Sequence, residues 1–150
     1  MLDENAYRDT YTSINPLQCV FERAVLRRCC GCQHAIRRYI AEREAAGCLD
    51  ADAHALCTVL KKEMRHAAAF TLKLTHPDEP LPHGKQLKLQ CGGLLGIAHL
   101  TTDAGLTEVS DIHAIVAAAV QAYGSIGQLP FQEIIQSIRA YEPRSHRKKL

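Results

Sequence analysis

At 150 residues, with 47% hydrophobic side chains and a net charge of +2, the chain suits one domain that buries about 70% of its unfolded surface without needing a metal to fold. No apolar run approaches the ~18 residues of a membrane span. Trp is absent and no basic face interleaved with aromatic platforms is visible, so a membrane protein and a nucleic-acid-binding domain are both disfavoured.

The start, Met1-Leu2-Asp3-Glu4-Asn5, is acidic where a signal peptide is basic, and the expectation is a cytoplasmic, non-secreted protein. Residues 1–15 read as a polar arm carrying Tyr7 and Tyr11. Asn15-Pro16 then looks like a helix start, with Asn15 as cap and Pro16 at the first helical position. Placing residues every 100° puts Phe21, Val25, Cys29, Cys32, Ile36, Tyr39 and Ile40 in one stripe, which predicts a helix over 16–46. Gly47 closes it. Asp50 caps a second helix whose buried stripe is Ala53, Leu56, Leu60, Met64, Ala67 and Thr71, and the two make a long helical hairpin.

Three prolines between His76 and Pro82 require a loop. Leu87, Cys91, Leu94, Leu95 and Ala98 keep helical spacing through Gly92, Gly93 and Gly96, where a neighbouring backbone can approach. A polar link leads to an apolar face from Ile112 to Tyr123, capped by Ser110 and ended at Gly124. Pro130 opens a last helix carrying Phe131, Ile134, Ile135 and Ile138. With no sustained two-residue alternation, the expected fold is all-α: about five helices, bundle-like, in a single domain over 16–142. Residues 143–150 are a basic tail; from Arg139 onward five Lys/Arg against Glu142 give +4 and leave the remainder at −2.

Six of the seven cysteines lie between Cys19 and Cys57, three of them in Cys29-Cys30-Gly31-Cys32. In a chain read as cytoplasmic such crowding points to a metal or redox centre rather than to disulfides. Cys29, Cys32, Cys48 and Cys57 are the expected ligands. Thiolates are soft and negatively charged, which suits an iron–sulfur cluster, with zinc as the alternative. Arg27, Arg28, Arg37 and Arg38 flank the set and are expected to lower the thiol pKa values. Two continuous helices would leave Cys32 and Cys57 about 13 Å apart in height at 1.5 Å per residue. Either the stretch from Cys48 to Cys57 is partly extended, or Cys91 completes the site in place of Cys57. Cys19 and Cys30 read as core.

The remaining constellations are weaker. Glu63-Met64-Arg65-His66 holds one glutamate–histidine pair where di-iron bundles need two, and reads as a solvated face. His54 and Cys57 share a helical face, and Gln90 to Gly96 has neither the lysine nor the strand of a phosphate loop. No catalytic constellation is evident. The expected function is electron transfer or redox or metal sensing. The alternative is a non-catalytic adaptor with core cysteines, whose last two helices and basic tail meet an unknown protein partner.

Overall fold

The structure, a computed structural model, describes residues 6, 15–76, 78–102 and 105–143. The polar arm before Asn15, apart from residue 6, and the tail from residue 144 lie outside the described residues. A short helix α1 (Glu22–Leu26) leads to an antiparallel hairpin, β1 (Ala35–Ile40) and β2 (Arg43–Cys48). There follow α2 (Ala51–Ala67), α3 (His83–Leu87), a π-helical turn (Lys88–Gly92), α4 (Gly93–Thr101), α5 (Ile112–Tyr123), a 3-10 turn (Ile126–Gln128) and α6 (Phe131–Ala140).

The fold is therefore mixed α/β, which corrects the all-α, bundle-like expectation. The long helix expected over 16–46 does not form. Asn15 is not a helix cap: its side-chain Nδ2 donates to the Ala46 carbonyl at 3.0 Å. Residues 15–19 instead run along β2, with Cys19 N–H donating to Ala46 O and Cys48 N–H to Leu17 O, at 2.9 and 2.8 Å. Helix α1 ends after five residues because the chain turns left-handed at Arg28 (φ 69°), a conformation no helix continues through. The hairpin pairs Ala35 with Cys48 and Ile40 with Arg43, leaving Ala41-Glu42 as a two-residue turn. Both turn residues have positive φ, 51° and 70°, as a type I′ turn demands. Asn-Gly is the usual sequence there; Ala-Glu carries no such signal, and Ile36, Tyr39 and Ile40 satisfy a helical stripe equally well. Hairpin pairing decides between the two.

Helix α2 bears out part of its sequence reading: the Asp50 carboxylate accepts from the N–H groups of Asp52 and Ala53, and Ala53, Leu60 and Met64 are buried, but the helix ends at Ala67, Leu56 and Ala67 are only partly buried, and Thr71 lies in the turn beyond it. The π-helical turn and α4 pack so closely on α6 that a side chain at Gly92 or Gly96 would force a shift. A Cβ on Gly92 would lie 2.9 Å from Ile138 Cα, and one on Gly96 2.9 Å from Ser137 Cβ. Buried Gln90 joins the two halves, its Oε1 accepting from the Ala24 N–H at 3.1 Å. Asp111 rather than Ser110 stands at the N-cap position of α5, without a side-chain capping hydrogen bond; its carboxylate instead accepts from the backbone and side chain of Gln33, anchoring the loop before β1. Among the described residues, no helix is long and apolar enough to cross a membrane.

Candidate thiol centre

The five expected ligands separate into two groups. Cys29 and Cys91 are joined in a disulfide, Cα–Cα 6.5 Å, across 62 residues of chain, so the preference for a site free of disulfides is corrected and neither sulfur is available as a ligand. Cys32, Cys48 and Cys57 are free thiols and converge. The partner that completes them is Cys19, a residue whose sequence context reads as core.

Four separate segments bring these thiols together. Cys19 lies on the strand-like stretch beside β2, Cys32 on the loop before β1, Cys48 at the end of β2 and Cys57 on α2. The hairpin supplies the extended path that two helices could not. Ala35 pairs with Cys48, so Cys32, three residues earlier, sits by the strand end from which the chain turns into α2. The loop carrying Cys32 is stitched to the segment before α5 by Gly31 N–H to Val109 O and Ile112 N–H to Gly31 O, at 2.8 and 2.7 Å. The four cysteines line one small cavity of about 20 Å³ with Phe21, Ala35, Ala53 and Ile112. His54 and His113 complete its rim. The His54 ring donates to the Gln18 carbonyl at 2.8 Å, and the His113 ring meets that of His34 edge-on, centroids 4.7 Å apart.

Burial dominates the electrostatics. It pushes the Cys19 thiol up to about 11 and the Cys57 thiol to about 12, and raises Cys32 as well. The thiols then oppose each other's ionisation: Cys57 feels Cys19, Cys32 and Cys48, Cys19 feels Cys32 and Cys48, and Cys32 feels Cys48. Against this, backbone N–H groups point at two of the sulfurs, that of Phe21 at Cys19 and those of His34 and His113 at Cys32. The Cys48 thiol donates to Asp50 O at 3.2 Å. Two of the four arginines expected to lower these values are engaged elsewhere: Arg28 and Arg37 pair with Glu44 at 3.5 and 3.9 Å, and Arg37 also donates to Val25 O. Cys30 is a separate buried thiol, raised to about 12 by desolvation.

Among the described residues, no group of three or more His, Cys, Asp or Glu side chains is placed to hold a metal ion. That finding overturns the expected ready-made metal site at Cys29, Cys32, Cys48 and Cys57 with Cys91 in reserve. The Glu63–His66 pair is no ligand pair either: Met64 between them is core, Glu63 is exposed and His66 faces a separate cleft. No spacing rule singles out Cys19, whose place depends on residues 15–19 lying along β2, a pairing between positions about thirty residues apart. No protein-family model, curated protein or solved structure matches this chain.

Proposed function

We propose that the chain binds an iron–sulfur cluster through Cys19, Cys32, Cys48 and Cys57 and serves electron transfer or redox sensing, in the cytoplasm. The observation that carries this reading is the convergence of four free thiols from four different segments on one apolar cavity. Unmodified, the arrangement is unfavourable to ionise at Cys19, Cys32 and Cys57, where burial and the neighbouring thiols both oppose the thiolate. Iron supplies the positive charge that offsets this, and its binding would release the thiol protons.

A single zinc ion fits less well. Tetrahedral zinc at 2.3 Å holds its four sulfurs about 3.8 Å apart, and no such group is present among the described residues. A four-iron cluster gives each thiolate its own iron and so spreads the sulfurs further. It is larger than the present cavity, so loading requires the four side chains to rotate out of their current packing. The N–H groups of Phe21, His34 and His113 would stabilise sulfur charge, and the apolar wall would limit water; both tune a cluster's potential.

Anaerobic purification followed by assay of iron, zinc and acid-labile sulfide tests the proposal. Stoichiometric iron and sulfide with absorbance at about 400 nm are expected, lost in Cys19→Ser and Cys57→Ser and retained in Cys29→Ser. A folded wild-type protein that is colourless and metal-free, or that carries zinc alone, would overturn it.

A further inference from the structure

A second and larger cavity opens on the other side of Cys19. It is a cleft of about 840 Å³ between residues 16–23 and the outer face of α2, within the range of small-molecule sites. Its charge is one-sided. Arg23 projects from α1, and Lys61, Lys62 and Arg65 come from successive turns of α2, against the carboxylates of Glu22 and Asp78. The excess is therefore two positive charges. Glu22 is turned toward the hairpin, its carboxylate accepting from Gln18 Nε2 at 2.7 Å and from the Ala46 N–H at 2.8 Å.

Two of the cations are held by neutral groups. Lys61 Nζ is 3.4 Å from Val20 O, and Arg65 Nη2 donates to the Glu79 carbonyl. Arg65 Nε is buried with no acceptor. None of the ion pairs among the described residues uses these four side chains. Lys61 is partly desolvated and repelled by Arg65 and Arg23, which lowers its pKa; a bound anion would offset that repulsion. Guanidinium forks and ammonium groups converging from two walls match the oxygens of linked phosphates better than a single carboxylate.

We propose that this cleft binds a small molecule carrying a di- or triphosphate group. Among the described residues no Phe, Tyr or Trp lines it, so they offer none of the platforms on which single-stranded nucleic acid stacks. The inference stands independently of what the thiol centre holds.

Calorimetric titration of the purified full chain with inorganic pyrophosphate, ADP, citrate and a single-stranded oligonucleotide tests it. Pyrophosphate and ADP are expected to bind one per chain. The exposed-site variants Arg23→Ala and Lys62→Ala should each weaken that binding about tenfold, as loss of one charge-assisted contact does, while Arg139→Ala on α6 leaves it unchanged. Circular dichroism establishes that each variant is folded. Absence of pyrophosphate and ADP binding would overturn the proposal, as would tighter binding of citrate, binding of the oligonucleotide alone, or equal weakening by Arg139→Ala.

Discussion

Residues 15–57 and residues 83–140 solve the problem of burial in opposite ways. The C-terminal half is built from helices whose apolar residues recur at helical spacing, with Leu94, Ile97, Ile134 and Ile138 fully buried and glycines where α4 and α6 touch. Its sequence can be read locally. The N-terminal half holds five free cysteines and is organised by contacts between distant residues: a β-hairpin, a strand-like edge and a short helix enclosing thiols. The difference teaches that a helical stripe identifies a buried face without identifying the element that carries it.

Alkaline pH should separate the halves most strongly. Cys19, Cys30 and Cys57 are raised from the ordinary thiol value of 9.0 to about 11, 12 and 12, so above pH 9 the unfolded chain loses protons that the folded chain keeps. Stability then falls as pH rises toward 12. Each tenfold difference in acidity between a folded and an unfolded thiol is worth about 1.4 kcal/mol, and three thiols together outweigh any single substitution. In metal-free protein with the Cys29–Cys91 disulfide intact, hydrogen exchange should show the hairpin region opening first, because residues 83–140 then contain no free cysteine. Uniform opening would show that the halves are one cooperative unit.

Smaller effects sharpen the contrast. Ile138→Ala empties a site of zero exposure and should lose about 2–5 kcal/mol in urea unfolding. Gly92→Ala forces a Cβ to within 2.9 Å of the Ile138 Cα and should lose about 1–3 kcal/mol. Gly84→Ala, with open space around it, should instead gain about 0.5–1 kcal/mol in helix α3. Smallest is the hairpin turn. Glu42 sits at φ 70°, and Glu42→Gly should raise the unfolding midpoint, a gain of about 0.5–1 kcal/mol; a loss would show that Glu42 makes a stabilising contact.

Much of the chain from Asp50 onward is legible in the residues. The Asp50 cap, the buried face of α2, the loop at the prolines, the close approach at Gly92 and Gly96, and the face of α5 ending at Gly124, where φ is 98°, all follow from local patterns. The first half misleads because Ile36, Tyr39 and Ile40 fit two periods, and because the turn at Ala41-Glu42 uses residues with no preference for positive φ. The thiol site is obscured in consequence. Crowding in the sequence points to Cys32, Cys48 and Cys57, a helical stripe that does not form draws in Cys29, and local spacing leaves Cys19 in the core.

What the sequence determined by itself is chemistry and local form: a cysteine-rich segment, capped amphipathic helices, and glycines at the points of closest packing. Tertiary structure alone decided which thiols meet. Cys29 and Cys32 are three residues apart, yet the left-handed turn at Arg28 and the pairing of β1 with β2 send one to Cys91 and the other to Cys19, Cys48 and Cys57. Those partners lie up to 62 residues away. Backbone hydrogen bonds between separated segments bring them together, and no pattern within a single segment encodes such a bond.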